Sequence, residues 1–280
     1  MAAKYPEHRP GALTLKEADT CRVYVTPALV KAGWGDPRWR IKEQHCFTDG
    51  QVVLVGNGHK RLKKKKADYL LRYEESFPIA VVEAKAEELE PAAGLQQAKD
   101  YAQILGLHFA YSTNGHGIVE WDFTTNTQRD NLDHFPTPEE LWQRLCAFKA
   151  LDAARPNNPL LIPYCAKGDK PPRYYQEVAI NRTVEAILKG QSRILINLAT
   201  GTGKSFVMIG LSVLSILLGK TKRVLVLGPS STVIESGLRE KFKEYLYGEK
   251  AAELRQFLPP AVRHKAIKLL TCNDPIEDDS

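Results

Sequence analysis

The stretch Ile79-Ala80-Val81-Val82-Glu83-Ala84-Lys85 is an apolar run that ends in two charged residues separated by a single alanine. Alternate side chains of a β-strand point to the same face, so a strand here places Glu83 and Lys85 together. Asp68 begins the preceding predicted strand and can converge with them. Two carboxylates can bridge Mg²⁺ at a scissile phosphate, and a neighbouring lysine can position or help to deprotonate the attacking water. The stretch therefore predicts a metal-dependent site for phosphodiester cleavage.

The elements around this stretch are predicted in the order helix, three strands, helix, two strands, helix. The predicted ranges are a helix at 14–31, strands at 51–55, 68–73 and 79–84, a helix at 92–105, strands at 108–112 and 117–122, and a helix at 138–151. The first three strands are short and separated by turn residues, which is typical of an antiparallel meander. The pattern predicts an α/β domain with a mixed sheet flanked by helices.

The predicted helix after Lys85 contains Gln97-Ala98-Lys99-Asp100-Tyr101. A spacing of four places Gln97 and Tyr101 on one helix face. Together with Asp68 and Glu83-Ala84-Lys85, this pattern resembles the PD-(D/E)xK nuclease core of families similar to RecB and the type I restriction subunits, although Ala67 replaces the usual proline. The resemblance implies that Asp68 and Glu83 bind Mg²⁺ and that Lys85, Gln97 and Tyr101 complete the catalytic site.

Two further features near this site each have two interpretations. The resemblance implies an acidic residue from the first helix, for which Glu17 is the candidate and Asp19 a weaker one, but Thr14-Leu15-Lys16-Glu17 is also a helix capping box. The basic run Lys60-Arg61-Leu62-Lys63-Lys64-Lys65-Lys66 precedes Asp68 and can hold the DNA backbone through charge. Such runs are also common in solvated loops.

A second motif, Ala199-Thr200-Gly201-Thr202-Gly203-Lys204-Ser205, lies between a predicted buried strand at 193–198 and an apolar helix. Its two glycines allow backbone N–H groups to surround phosphates, Lys204 reaches the outer phosphates, and the Ser205 hydroxyl can bind Mg²⁺. With a second buried strand at 223–227, the segment predicts a parallel βαβ unit that binds ATP. The candidate nucleotide-binding residues of the loop are Gly201, Thr202, Gly203, Lys204 and Ser205.

The loop resembles motif I of superfamily 2 helicases and translocases, because Leu198 stands where other phosphate loops have glycine. In that resemblance, Gln176 of Arg173-Tyr174-Tyr175-Gln176 is the adenine-reading glutamine, and Val224-Leu225-Val226-Leu227-Gly228-Pro229-Ser230 is motif Ia, or simply the next buried strand. The Asp-Glu pair and arginine finger of such motors are missing from the sequence. The chain is therefore interpreted as part of a longer subunit.

The predicted organisation is an endonuclease domain at 1–155, a proline-rich linker at 156–172 and the start of a RecA-like motor domain at 173–280. This arrangement resembles the restriction subunit of type I restriction-modification enzymes over nearly the whole chain. The resemblance implies an N-terminal fragment of an ATP-dependent deoxyribonuclease. Its implied partners are double-stranded DNA and the methylation and specificity subunits.

Composition is compatible with these predictions but does not decide between functions. The formal net charge of +6 favours a polyanionic partner, and the five cysteines have no paired spacing typical of zinc sites. The polar start and the absence of a long apolar run predict a cytoplasmic protein without a membrane span. Two alternatives stay open: another nuclease-helicase of phage defence or DNA repair, and a non-catalytic DNA-binding or assembly module whose carboxylates form structural salt bridges.

Overall fold

The structure is a computed structural model that describes residues 16–36, 40–47, 52–55, 58–61, 65–74, 77–153, 158–161, 172–217, 221–227 and 238–248. These residues form two units. The first contains the described residues up to Ala150 apart from Phe77, and the second contains Phe77 and the described residues from Leu151 onward. The division lies close to the predicted domain end at 155, and most of the predicted linker lies outside the described residues.

The first unit begins with consecutive helical segments between Glu17 and Trp34. These are α1 (Glu17–Thr20), a π-helical segment (Cys21–Val25), α2 (Thr26–Leu29) and a second π-helical segment (Val30–Trp34). Leu29 and Trp34 are buried, and the Trp34 indole N–H donates to the carbonyl of Pro136 at 3.0 Å. The helical run predicted at 14–31 therefore exists over its described part, and its apolar face packs on the domain.

Eight strands follow, six of which form one mixed sheet. In chain order they are β1 (Arg40–Phe47), β2 (Val52–Val55), β3 (Gly58–Arg61), β4 (Lys65–Glu74), β5 (Phe77–Ala84), β6 (Phe109–Thr113), β7 (Ile118–Asp122) and β8 (Thr127–Arg129). The large sheet has the order β1-β4-β5-β6-β7-β8. The pair β5–β6 is parallel, whereas β1–β4, β6–β7 and β7–β8 are antiparallel. The prediction of a mixed sheet with flanking helices is confirmed.

Helix α3 (Leu95–Leu105) makes the crossover between the parallel strands, and a 3-10 turn (Pro91–Gly94) leads into it. Helix α4 (Pro138–Lys149) closes the unit and begins with a capping box formed by Thr137 and Glu140. Strand β5 lies inside the sheet and is buried along nearly its whole length. The C-terminal end of β5 is thus held by the neighbouring strands β4 and β6.

The predicted three-strand meander was wrong in its first member. The strand predicted at 51–55 is β2, which pairs with β3 in a separate two-stranded sheet. Its place beside β4 is taken by β1, which the sequence pattern did not indicate. Strand β1 lies at the sheet edge and buries only Phe47 fully, so it lacks the apolar alternation from which a strand is predicted.

The second unit contains three described helices, α5 (Tyr174–Leu188), α6 (Lys204–Leu217) and α7 (Glu240–Tyr247), and a short 3-10 turn (Pro159–Leu161). The predicted buried strands at 193–198 and 223–227 were wrong for the described residues. Neither segment is a strand, and Leu195 and Leu225 are 94% and 82% exposed. An extended segment becomes a strand only when a neighbour pairs with its backbone. The described residues supply no such neighbour here, so the predicted parallel pair is absent from them.

A buried ionic cluster fastens α4 to the sheet. The fully buried Glu120 of β7 pairs with Arg129 of β8 and with Arg144 of α4, and Arg144 also pairs with Asp122. Removing one member of a buried ion pair leaves the remaining charge without compensation, which costs far more than loss of an exposed pair. Loss of a single member of this cluster should therefore destabilise the first unit.

We expect Glu120→Gln to lower the free energy of unfolding of the first unit by about 3 kcal/mol, because Arg144 and Arg129 lose a buried counterion. Urea unfolding followed by tryptophan fluorescence measures this unit, since all four tryptophans (34, 39, 121 and 142) precede residue 151. The control is Asp19→Ala, which removes an exposed pair with Arg22 and should change the value by less than about 0.5 kcal/mol. Equal effects of the two substitutions would contradict this assignment.

Candidate functional site

Asp68 and Glu83 lie side by side on the neighbouring strands β4 and β5 and are only 6% and 1% exposed. The backbone N–H of Asp68 donates to Oε1 of Glu83 at 3.3 Å. In return, the N–H of Ala84 donates to Oδ2 of Asp68 at 2.9 Å. Each carboxylate therefore accepts a hydrogen bond from the backbone of the other strand, which fixes the two groups as a pair.

This pairing has an electrostatic cost. Burial raises the pKa of Glu83 to about 8, and the neighbouring charge of Asp68 adds to the increase, while Lys85 and the Asp68 N–H oppose it. Two adjacent carboxylates in a buried site cannot both be ionised without a positive group to offset them. Lys85 is such a group, and it offsets the charge of the pair only in part, since the pKa of Glu83 is still raised.

Gln97 of α3 joins the predicted residues into one hydrogen-bonded network. Its Nε2 donates to Oε2 of Glu83 at 2.8 Å and to the Tyr101 hydroxyl at 3.1 Å. Its Oε1 accepts a hydrogen bond from Nζ of Lys85 at 3.0 Å. Lys85 Nζ also lies 3.9 Å from carboxylate oxygens of both Glu83 and Glu17. The structure thus brings together all six residues that the sequence analysis placed at this site.

Of the two acidic candidates on the first helix, Glu17 alone contacts the network. Asp19 instead lies 3.7 Å from the guanidinium of Arg22. The side chain of Glu17 is half-exposed, whereas that of Lys85 is largely buried. Glu17 therefore approaches the lysine from the solvent side, whereas Glu83 approaches it from the buried side.

A close approach at Gly94 allows α3 to reach the site. A Cβ atom added there would lie 2.9 Å from Cε of Lys85 and 2.9 Å from Oγ of Ser112. The Gly94 N–H donates to that same Ser112 hydroxyl, which in turn donates to the carbonyl of Pro91. Sequence reasoning missed both residues. The only signal was a glycine inside the helix predicted at 92–105, where glycine is unfavourable.

Gln44 of β1 is another residue that sequence reasoning missed. Its Nε2 donates to Oδ1 of Asp68 at 3.1 Å. On the same side, Tyr101 packs edge-on against Phe47, and Nζ of Lys65 lies 5.9 Å from the centre of the Tyr101 ring. Lys65 and Lys66 of the basic run precede Asp68 on β4. Residues 62–64 of that run lie outside the described residues.

Oxygen donors dominate the site. In the part of the chain that the structure describes, no group of three or more His, Cys, Asp or Glu side chains is arranged to hold a metal ion. Asp68 and Glu83 are a pair of carboxylates, and oxygen ligands of this kind are those that Mg²⁺ uses, commonly with only one or two carboxylates and several waters. The residues present therefore fit a partly hydrated Mg²⁺.

The phosphate-loop motif has the conformation that its glycines permit. Gly201 and Gly203 have φ values of +77° and +83°, in the left-handed region. Lys204 begins α6, with Ser205 as the next residue, and its Nζ donates to the carbonyl of Leu198 at 3.1 Å. The Thr202 hydroxyl donates to the carbonyl of Ala199 at 2.6 Å. The side chains of Thr202 and Lys204 thus bond to backbone carbonyls at the beginning of the loop, which leads into a helix.

Gln176 contacts this loop directly. Its Nε2 donates to the carbonyl of Thr202 at 2.9 Å, and its Oε1 accepts from the N–H of Arg173 at 2.9 Å. A Cβ atom on Gly203 would lie 2.4 Å from that Nε2, so a side chain at position 203 would displace the amide from its bond to Thr202. The predicted nucleotide-binding residues therefore lie together, with both ends of the Gln176 amide bonded to the protein.

Comparison with known proteins assigns relatives to both halves of the chain. The family model described as "Type III restriction enzyme, res subunit" matches residues 169–267. The EcoAI endonuclease subunit of a type I restriction enzyme from Escherichia coli is 39% identical over 69% of this chain and 24% of its own length. The EcoKI endonuclease subunit from Escherichia coli (strain K12) is 27% identical over 61% of this chain and 18% of its own length.

A solved fragment of a protein described as an HsdR subunit of a type I restriction enzyme, from Vibrio vulnificus YJ016, has a similar fold. It is 51% identical, with a TM-score of 0.64, over 72% of this chain and 38% of that one. The chain spans about a quarter or less of the length of the curated relatives. Within the described residues, no helix is long and apolar enough to span a membrane. By sequence and by fold, the chain is homologous to the endonuclease (HsdR) subunits of type I restriction enzymes.

Proposed function

We propose that the first unit of this chain cleaves double-stranded DNA with Mg²⁺ held by Asp68 and Glu83. The observation that carries the proposal is the single network in which these two carboxylates, Lys85, Gln97 and Tyr101 are joined. The named activity of the relatives, endonuclease subunits of type I restriction enzymes, supports the same conclusion. The PD-(D/E)xK assignment of this site is part of the proposal.

A divalent cation fits the site on electrostatic grounds. Burial and the charge of Asp68 raise the pKa of Glu83. The state in which both carboxylates are ionised is therefore unfavourable unless additional positive charge is bound nearby. A cation bound by both carboxylates would supply it and displace the proton. When bound, Mg²⁺ polarises the scissile phosphate and stabilises the charge that develops on it.

The side chains around the carboxylates have distinct roles in this scheme. Gln97 orients Glu83 through its Nε2 and orients Lys85 through its Oε1. Lys85 holds its ammonium group beside Glu83, where an N–H of Nζ positions the attacking water by donating a hydrogen bond to it. The Tyr101 hydroxyl accepts a hydrogen bond from Gln97 and holds its amide in place. Glu17 offsets the charge of Lys85 on the solvent side.

We further propose that the second unit binds ATP at the loop 199–205 and belongs to a DNA-translocating motor. The match of residues 169–267 to a restriction-subunit family and the left-handed Gly201 and Gly203 support this proposal. The whole subunit would act with methylation and specificity subunits. To bind adenine, the Gln176 amide would either break its hydrogen bond to the Thr202 carbonyl or form an additional bond while keeping that one.

The nuclease proposal predicts that the chain binds one Mn²⁺ or Mg²⁺ ion and that Asp68→Asn and Glu83→Gln each weaken binding at least about tenfold, because each removes a charged oxygen ligand. Isothermal titration calorimetry measures the affinity. The control is Asp130→Asn, which alters a carboxylate bonded to Gln128 beyond β8, at the far edge of the sheet. Binding that survives both site substitutions would favour the non-catalytic assembly module.

Glu83 also predicts a pH dependence of the metal-free protein. Its pKa is about 8 when folded and about 4.5 when unfolded, so between these values the folded state holds the extra proton. Its contribution to stability is therefore complete below pH 4.5 and is lost as pH rises to about 8, with a slope of at most about 1.4 kcal/mol per unit.

Urea unfolding in EDTA at several pH values, followed by tryptophan fluorescence, should show the stability of the native chain falling relative to Glu83→Gln as pH rises from 5 to 8. The glutamine variant cannot ionise at this position, so it lacks this term. A constant difference between the two proteins across that range would refute the proposed shift.

The nucleotide proposal predicts that Lys204→Ala abolishes ATP binding, because its ammonium group is the charge that reaches the outer phosphates. Binding is measured by fluorescence of a labelled ATP analogue with Mg²⁺. Lys189→Ala is the matched control, since this lysine pairs with Glu185 on the exposed side of α5. Retention of binding by Lys204→Ala would exclude the loop as the site.

A further inference from the structure

We propose that Gln44 is a positioning residue of the Asp68–Glu83 site. Its side-chain amide holds the Asp68 carboxylate in the orientation in which a divalent cation binds. This inference rests on the proposed nuclease function and adds a residue from β1, an edge strand that no sequence motif of the site includes.

The register of the sheet places Gln44 opposite Asp68. In the antiparallel pair β1–β4, Glu43 faces Tyr69 and His45 faces Ala67, which leaves Gln44 and Asp68 at the same level. Gln44 Nε2 donates to Oδ1 of Asp68 at 3.1 Å, while the Ala84 N–H from β5 donates to Oδ2. The carboxylate is therefore held from both neighbouring strands, one oxygen by each.

The backbone of Gln44 is unusual for a strand. Its φ is +53°, in the left-handed region that side-chain-bearing residues rarely adopt. The register is the same before and after it, so no inserted residue accounts for the conformation. The side chain is exposed, so burial of apolar surface does not explain it either.

The other non-glycine residues with positive φ in the described part of the chain lie where that conformation is ordinary. Asn126 is in the turn between β7 and β8, Asn131 is in a loop, and Ala150 caps the C-terminus of α4. Gln44 differs because it lies within a paired strand. Strained backbone of this kind persists where surrounding structure enforces it, and it is concentrated at functional sites.

Hydrogen bonds hold β1 on both sides of Gln44. The preceding residue, Glu43, accepts a hydrogen bond from the Thr26 hydroxyl of α2 at 3.3 Å, and that hydroxyl also lies 3.0 Å from the hydroxyl of Tyr69. The thiol of Cys46 donates to the Gln44 carbonyl at 3.7 Å. Strand β1 is thus fixed on both sides of Gln44, and the amide is directed at the carboxylate.

An amide suits this role better than a charged donor. A lysine or arginine at position 44 would neutralise Asp68 and compete with a cation for it. A neutral amide orients the carboxylate while leaving its charge for the metal. Groups that orient metal ligands in this way typically change metal affinity by about tenfold or more when they are removed.

The test compares two variants of the complete chain by Mn²⁺ calorimetry and by urea unfolding followed by tryptophan fluorescence. Gln44→Gly removes the amide and relieves the backbone, whereas Gln44→Met keeps the side-chain length and the backbone strain but removes the donor. We expect about tenfold weaker Mn²⁺ binding in both, with an unfolding midpoint in Gln44→Gly that is not lowered. Asn126→Gly relieves a similar backbone at the opposite edge of the sheet and should leave affinity unchanged.

Each other outcome overturns the inference in a different way. Native affinity in both Gln44 variants, with binding lost in Asp68→Asn, overturns the role of Gln44 and leaves the nuclease site intact. A lowered midpoint in Gln44→Gly together with weaker binding assigns Gln44 to the stability of the strand instead. Absence of Mn²⁺ binding by the unaltered chain overturns the nuclease proposal, and the inference with it.

Discussion

Two buried carboxylates, those of Asp68 and Glu83, are held side by side against their mutual repulsion, and the surrounding structure is arranged to keep them there. Their neighbours contribute backbone N–H groups from β4 and β5, the amide of Gln97, and the ammonium group of Lys85. These groups offset the negative charge only in part, since burial and the charge of Asp68 still raise the pKa of Glu83. The arrangement therefore favours a positively charged ligand, which is the basis of the metal proposal.

The position of this carboxylate pair is set by strand β5 and by the crossover helix α3. Strand β5 is buried inside the sheet, so Glu83 reaches the site from a rigid backbone, and the parallel crossover to β6 brings α3 across the end of β5. Gly94 allows the helix to lie close enough for Gln97 to bond with Glu83 and Lys85. The ionic cluster around Glu120 and Arg144 then fastens the far side of the sheet to α4. The positions of Asp68, Glu83 and Gln97 therefore depend on the sheet and on the helices that pack against it.

The features of the site that sequence predicted well are local in the chain. Glu83 and Lys85 share a strand face through the period of two, and Gln97 and Tyr101 share a helix face through a spacing of four. The resemblance to type I restriction subunits was confirmed by relatives at 39% and 51% identity. The roles assigned to the site residues, the metal and the nucleotide stay predictions, because no ligand contact tests them.

The parts that sequence missed depend on partners distant in the chain. Strand β1 is polar and lies at the edge of the sheet, so no sequence pattern predicts that Gln44 lies beside Asp68. The apolar segments at 193–198 and 223–227 have strand-like composition, yet neither pairs with another strand within the described residues. A strand requires a hydrogen-bonded partner, and composition does not show whether one is present. Gly94 likewise depends on contacts with Ser112 and Lys85, which no local pattern shows.

The most direct test of the central claim is a crystal structure of the chain grown with Mn²⁺ and measured at the manganese absorption edge. We expect one anomalous peak at about 2 Å from carboxylate oxygens of both Asp68 and Glu83. A protein that crystallises with saturating Mn²⁺ and has no peak there, or has its peak on other residues, would contradict it.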